Sequence, residues 1–568
     1  MLDAQLILAD CLSQLQQVDR VSEEDVKKVL HQKVISNKYI SCWKVEPVIT
    51  IKDNAKRITL FMCFYPSFPY SWPEVYLLDT QFDYIAHIGY DDRKLCLFTD
   101  DEFTTPQDPF GMIRTALSRA CKLIELSTSH AIDGDFAQEI LHYWIFQYNK
   151  ESDIRNGYLL SNIDRSNESL LLKASYIQHN VFIYDESDSD ANRILKETDA
   201  QYTSAAYDVL YLRDIHIPNK PPYCITPESF QECCIPSSLG ILKKFMTRHK
   251  HDTILIIFPI GDTVALGAIS IPCTPEMVRG FRNGIVSPTK YWLEKNKNFY
   301  WQRYVVYPYN ISRIAERTSG QYFEKRNYWI GGLGSIGSNL IYFLNSEQNV
   351  SFTLADKEIL TIDNIGRHLL GFSSIGKGKV TELKRYICSN RPEREVTIFS
   401  STIEQVLFTK ITSDNIPDAL FLCTGNTNSE RYILDKLKED APNYPIFILW
   451  LEPYAIAGHM VYINPQQGIS SEFLNGYPYN LIAASEYTTK GHTFTKQESG
   501  CANTYTFYGG SDVTLFLSAM YPLIQKLTQT PANSTYFRWI GNVEIAKAKG
   551  ITLSAEHVEK GQIQAFRM

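Results

Sequence analysis

The run Gly332-Leu333-Gly334-Ser335-Ile336-Gly337 stands between a strand-like segment, Tyr328-Trp329-Ile330, and a stripe at helical spacing, Ile336, Leu340 and Leu344. A chain that leaves a strand and turns at once into a helix needs a residue tolerant of positive φ. An anion can reach the free N–H groups of that helix only where no Cβ stands in its way. Asp356 follows Gly337 by about twenty residues and ends a second apolar run, Phe352-Thr353-Leu354-Ala355, where a ribose-binding carboxylate belongs. The spacing predicts a nucleotide site built on Gly332, Gly334, Gly337 and Asp356. Taken alone, the glycines also suit an ordinary turn between a strand and a helix.

The 568 residues, 44% apolar and 21% charged, are enough for several cores and fit a globular chain of several domains. A net charge of -7 with no dense Lys/Arg stripe leaves no electrostatic footprint for nucleic acid. The first twenty residues place Asp3, Asp10 and Asp19 among apolar positions and read as an amphipathic helix, not a signal peptide. The longest apolar run, Ile254-Leu255-Ile256-Ile257-Phe258, is far short of a membrane span, so a cytoplasmic protein without a membrane partner is expected. The twelve cysteines contain no Cys-x-x-Cys pair, which argues against a zinc tetrad and a disulfide framework. Cys63 and Cys273 lie in apolar runs. Cys96 and Cys501 instead follow polar, turn-forming residues, where a thiolate can form and be reached.

The expected fold class is α/β and multidomain, in three blocks: 1–150, 151–310 and 311–568. The first has helical ends around short strands, Pro47 to Ile51, Arg57 to Phe64 and Glu74 to Leu78, with a proline-aromatic turn from Tyr65 to Pro73. Polar residues 150–170 read as a linker. Strand-like segments then recur at Tyr176 to Tyr184, Thr253 to Ile260 and Tyr300 to Tyr307, with an acidic loop at Asp185 to Asp190 and no evident chemistry. From 311 onward strands alternate with helices, at 327–330, 335–345, 350–355, 378–389, 418–423, 428–438 and 445–451. That pattern predicts a mostly parallel sheet covered on both faces.

The glycine loop admits two chemistries. A dinucleotide-dependent oxidoreductase puts no particular demand on the residues after Asp356. An adenylating enzyme must also hold a triphosphate, and Asn364, Arg367 and Lys379 follow in order, offering an amide, a guanidinium fork and a mobile ammonium. The ordered set Gly332, Gly334, Gly337, Asp356, Asn364, Arg367 and Lys379 resembles the adenylation domain shared by ubiquitin-activating enzymes and ThiF-like sulfur-carrier activators. The resemblance covers about 310–530 and implies a Rossmann-like fold, ATP as cofactor and phosphate contacts from Arg367 and Lys379. Arg317 is in the place of that family's N-terminal arginine. Where the family has an aspartate that binds Mg²⁺, this chain reads Cys423-Thr424-Gly425-Asn426, and Asn426 is at most a partial substitute.

Gly500-Cys501-Ala502-Asn503 resembles the crossover loop that carries the acceptor cysteine in activating enzymes, a role the resemblance extends to Cys501. Passing a labile acyl adenylate to a thiolate stores it as a thioester. His459 and His492 are within reach in sequence, though a structural role suits each better. The first block, with its Tyr-Pro…Trp-Pro turn and His87-Ile88-Gly89…Leu95-Cys96-Leu97, resembles the ubiquitin-conjugating fold, and the resemblance makes Cys96 the carrier cysteine. The family's His-Pro-Asn triplet is here His87-Ile88-Gly89, so its asparagine is absent. Asp91 and Asp92 are candidates for deprotonating an amine, against the plainer reading of a solvated turn.

A conjugating-like domain ahead of an activating-like one, with a linker domain between, resembles the fusion enzymes of bacterial CBASS antiphage operons. The stretch from Trp450 to His459 is similar to that group as well. The resemblance implies a protein substrate with a free C-terminal carboxylate, either a cGAS-like nucleotidyltransferase or a ubiquitin-like protein. It further implies target lysines, ATP with Mg²⁺, and a homodimer. The rival readings are an NAD-dependent oxidoreductase, a binding protein with an inert conjugating-like module, and a sulfur-carrier adenylyltransferase without conjugation.

Overall fold

The computed structural model describes residues 4–15, 18–21, 39–51, 53–79, 82, 85–89, 93–99, 101–145, 156–177, 179–197, 207–218, 220, 223, 225–249, 253–271, 287–295, 301–309, 311–318, 320, 324–411, 415–440, 442–476, 478–497 and 504–568. The chain forms two compact units, one of Met1–Asp188 with Tyr202–Tyr309, the other of Ser189–Gln201 with Asn310–Met568.

The first unit opens with a four-stranded antiparallel sheet in the order Val18–Val21, Ser41–Val45, Leu60–Phe64, Glu74–Leu77. The apolar run Leu60–Phe64 is buried throughout, and Leu60, Met62 and Phe64 share a core with Trp43, Val75 and Leu77. The Pro109–Thr128 helix closes that core with Met112, Ile113, Ala116, Ala120 and Ile124, the spacing of one helix face. Its start is fixed by Asp108, whose carboxylate caps the N–H of Gly111, with proline in the first turn.

Two short helices, Gly134–Gln138 and Ile140–Ile145, lead into a closed seven-stranded barrel. Period-two alternation builds it: Leu255 and Ile257 point into the barrel core with Leu172, Val181 and Val306. Ile254, Ile256 and Phe258 point outward, onto Phe230, Leu242 and Phe245 of the Pro227–Cys233 and Pro236–Arg248 helices and onto Phe136, Ile140, Tyr143 and Trp144. Two expectations are corrected here. The stretch from Tyr176 to Tyr184 is not one strand but the end of Ser169–Ile177 and the whole of Asn180–Tyr184, paired antiparallel, because polar Gln178 and His179 break the apolar run. Residues 150–170 are not all linker: Asn156–Leu159 is a barrel strand, parallel to both Gln302–Pro308 and Asn180–Tyr184.

The second unit holds an eight-stranded sheet in the order Val396–Phe399, Val350–Ala355, Arg326–Gly331, Ala419–Leu422, Ile446–Leu451, Ala457–Ile463, Thr535–Ile540, Ile563–Arg567. The first five strands are parallel and the last three are added antiparallel. One face is covered by the Ser335–Ser346, Lys379–Asn390 and Gly510–Gln529 helices through Leu340, Leu383 and Phe516, the other by Ile403–Lys410 and Thr427–Asp440 through Val406 and Leu434. Both faces being covered explains why the parallel strands read as continuous apolar runs. The Ser189–Glu197 helix belongs to this unit, with Arg193 donating to the Glu393 carbonyl at 2.9 Å. No helix among the described residues is long and apolar enough to cross a membrane.

Candidate functional site

In the second unit the chain turns out of Arg326–Gly331 and into Ser335–Ser346 at the glycine loop. Gly332 has φ +80°, and a Cβ there would lie 2.6 Å from the Thr424 Cα. A Cβ on Gly337 would lie 2.0 Å from the Gly332 carbonyl oxygen, so this glycine lets helix and strand close on each other. Gly334 differs, since nothing stands within 4 Å of its Cβ position. It is also the N-cap of the Ser335–Ser346 helix and supplies no side-chain cap. Open space beside uncapped helix N–H groups fits the phosphates of a nucleotide.

Asp356 braces the loop with both oxygens, accepting from the Leu333 N–H at 2.7 Å and the Glu358 N–H at 2.8 Å. Asn364 accepts from the Thr361 N–H and hydroxyl at 3.0 and 3.2 Å. The buried Lys379 begins its helix and pairs with Glu358 at 2.6 Å. Arg367 donates to the Thr506 carbonyl at 2.8 Å and lies over the Tyr508 ring, whose hydroxyl is 3.0 Å from Ser335 Oγ. Arg317 is exposed in the last turn of the Ile311–Thr318 helix.

His368 has a role that sequence reasoning missed. Its Nδ1 accepts from the Leu370 N–H at 3.0 Å, so Nε2 carries the proton and donates to the Leu333 carbonyl at 2.8 Å. Burial lowers its pKa to about 4, and the neutral ring ties the glycine loop to the Arg367 segment. Its place beside Arg367 in the motif was the available signal.

The Mg²⁺ expectation finds poor support in the residues present. The Asn426 side-chain oxygen accepts from the Asn428 and Ser429 N–H groups, both at 3.2 Å, and so caps the following helix. Among the described residues no cluster of three or more His, Cys, Asp or Glu side chains suits a metal. Cys501 lies outside the described residues, as do the side chain of His492 and Asp91 and Asp92. The strands that flank Cys501 in sequence, Thr495–Gln497 and Thr504–Thr506, pair antiparallel. His459 is fully buried between Glu452 at 2.8 Å and Tyr536 at 3.1 Å, while Glu452 also accepts from the Leu481 and Ile482 N–H groups. That is a structural network.

In the first unit Cys96 is exposed and lines a cleft of about 560 Å³ with His87, Lys94, Glu139, His142 and Tyr143. The Cys96 N–H donates to the His87 carbonyl at 2.9 Å, and Leu95 and Lys94 bridge to Ile88 and Tyr76, so the segment is clamped to the edge of the sheet. Beyond the cysteine, Arg119 holds the Leu97 carbonyl at 3.1 Å and Trp72 stacks on Phe98 at 4.0 Å, which is the work of the proline-aromatic turn. Lys94 is paired with Glu74, which also accepts from Tyr39, Tyr65 and Tyr76. Burial opposes the charge on Glu74, but these hydrogen bonds prevail and hold its pKa down to about 2.

The side chains that hold His87 were not foreseen. His87 Nε2 lies 2.9 Å from Asp135, its Nδ1 3.4 Å from Glu139, and its N–H donates to the Tyr143 hydroxyl at 2.8 Å. Asp135, Glu139 and Tyr143 recur every fourth residue across the Gly134–Gln138 and Ile140–Ile145 helices, a spacing that sets them on one side without showing what they face.

Residues 310–510 match the model of the ThiF family and residues 14–152 that of Prokaryotic E2 family B. No curated protein sequence matches the chain. Among solved structures, PaaA aligns at 12% identity and TM-score 0.32, covering 52% of this chain and 84% of that one. Escherichia coli MccB with ATP aligns at 13% identity and TM-score 0.30, covering 43% of this chain and 64% of that one. MccB with MccA gives 12% identity and TM-score 0.31 over the same shares, 43% and 64%. These scores carry no inference about activity. The two family matches mark an enzyme of ubiquitin-like activation and conjugation chemistry.

Proposed function

We propose that this chain, a prokaryotic E2 family B domain followed by a ThiF-family domain, activates the C-terminal carboxylate of a protein with ATP and passes it through two thioesters to an amine. The carboxylate attacks the α-phosphorus of ATP and pyrophosphate leaves. The Cys501 thiolate attacks the acyl adenylate and AMP leaves; the Cys96 thiolate then displaces Cys501. A lysine amine finally attacks the Cys96 thioester, forming an amide and releasing the thiol. Exchange between thioesters is nearly energy-neutral, so ATP cleavage in the first step sets the direction.

In this reading the loop from Gly332 to Gly337 and the helix behind it hold the phosphates, and Asp356 and Asn364 the rest of the nucleotide. Arg367 and Lys379 exchange the Thr506 carbonyl and Glu358 for phosphate oxygens. Any Mg²⁺ comes with the nucleotide and no step is assigned to it. The blocks 1–150, 151–310 and 311–568 divide the work as conjugating, intervening and adenylating. The activated protein is a cGAS-like nucleotidyltransferase of an antiphage system or a bacterial ubiquitin-like protein, handled by a homodimer in the cytoplasm.

The observation that carries this reading is an exposed Cys96, in a cleft of an E2-type domain, on the same chain as an anion-ready glycine loop. It is tested by ATP–pyrophosphate exchange with the chain purified alongside the products of its neighbouring genes. Arg367→Ala and Lys379→Ala are each expected to lower exchange roughly 100-fold, the loss typical of one preorganised charge-stabilising donor. Exchange that is indifferent to both substitutions contradicts the adenylation step.

A further inference from the structure

The cleft that Cys96 lines carries more chemistry than a carrier cysteine needs. When His87 is neutral with its proton on Nε2 for Asp135, Nδ1 and Glu139 Oε1, 3.4 Å apart, are both acceptors; when the ring carries a second proton the two pair directly. The other oxygen of Glu139 accepts from the Tyr143 hydroxyl at 3.1 Å, and that hydroxyl accepts the His87 N–H, so the pair is held from behind. An ammonium group, with three donors and no acceptor, suits such a pair. His87 is itself at φ +60°, a left-handed conformation that histidine and asparagine adopt more readily than most residues.

The device is also rigid. Asp135 and Glu139 sit in and next to the short Gly134–Gln138 helix. The apolar side chains of this segment, Phe136, Ile140, Tyr143 and Trp144, are packed into the outer face of the barrel, and the Trp144 indole N–H donates to the Tyr304 carbonyl at 3.1 Å. The barrel thus fixes one wall of the Cys96 cleft.

We propose that His87 is a catalytic base for the acceptor amine, with Glu139 binding the ammonium and Asp135 orienting the ring. This deepens the reading above and rests on Cys96 being the carrier. The lysine ammonium gives one proton to Nδ1, and its nitrogen lone pair attacks the thioester carbonyl. As the C–N bond forms and the C–S bond breaks, a second proton of that nitrogen passes to the departing Cys96 sulfur.

The full-length protein can be charged without ATP, by thiol exchange with the 2-mercaptoethanesulfonate thioester of N-acetylglycylglycine. Loss of the acyl group from the Cys96 peptide is then followed by mass spectrometry in free lysine and, separately, in hydroxylamine, which is uncharged at neutral pH and attacks without a base. His87→Asn, compatible with the backbone, is expected to slow discharge to lysine about 100-fold while changing discharge to hydroxylamine less than about threefold. Asp135→Asn is expected to separate the two nucleophiles in the same direction. Equal slowing of both would assign His87 a purely structural role, and an unchanged lysine rate would remove it from the reaction; either overturns the proposal. A wild-type Cys96 that never holds the acyl group overturns the carrier reading and this proposal with it.

Discussion

Gly334 and Gly337 lie three residues apart and will not tolerate the same change. Alanine at Gly337 places a Cβ 2.0 Å from the Gly332 carbonyl, so Gly337→Ala is expected to cost about 3 kcal/mol or more, or to prevent folding, in thermal melts. Gly334→Ala meets only open space and should melt within about 1 kcal/mol of the wild type. In a calorimetric titration with ATP it should nevertheless bind weakly, because the added methyl occupies the approach to the helix N–H groups. Equal ATP affinity in Gly334→Ala would remove this loop from the nucleotide site. A second residue-scale test concerns Glu74. A carboxyl whose pKa falls from 4.5 to about 2 on folding stabilises the native state above the unfolded value, and loses that contribution as pH falls from 4.5 toward 2. The wild type should therefore exceed Glu74→Gln by about 3 kcal/mol near neutral pH, and denaturant melts should show the gap closing across that acid range.

The strand–loop–helix around Gly332 was legible because local chemistry dictates it, and the same holds for the apolar run Leu60–Phe64. The barrel was not. Its strands follow one another through polar interruptions as short as Gln178 and His179, and a strand such as Asn156–Leu159 is recognised only by its two distant partners. The Cys96 wall was half legible. Cys96 and His87 stand out by spacing, whereas Asp135, Glu139 and Tyr143 acquire meaning only when the barrel presses their segment against the cleft. Phe136→Ala tests that dependence. The ring is fully buried, so its loss should cost about 3–5 kcal/mol and loosen the whole segment. Hydrogen exchange should then show faster amides over 134–145, with the Leu60–Phe64 strand left protected. Uniform protection would show that the wall stands without the barrel.

At the scale of the molecule, the first unit joins the E2-type sheet and the barrel through the cluster of Phe136, Ile140, Tyr143 and Trp144. A fragment of residues 1–145 would expose that apolar face and is expected to aggregate in light scattering, while residues 1–309 should remain monodisperse. The overall composition of the chain, an E2-type part ahead of a ThiF-type part, was legible because each part carries a motif tied to its chemistry. How the proposed transfer from Cys501 to Cys96 would be made was not, since nothing local encodes it. The most direct measurement is intact and peptide mass spectrometry of the chain co-expressed with its neighbouring genes, as wild type, Cys96→Ala and Cys501→Ala, with and without thiol reductant. A reductant-sensitive protein adduct on Cys501 that persists in Cys96→Ala, and one on Cys96 that disappears in Cys501→Ala, is the predicted result. An adduct on Cys96 that forms as readily without Cys501, or no adduct on either cysteine in the presence of ATP, would contradict the relay.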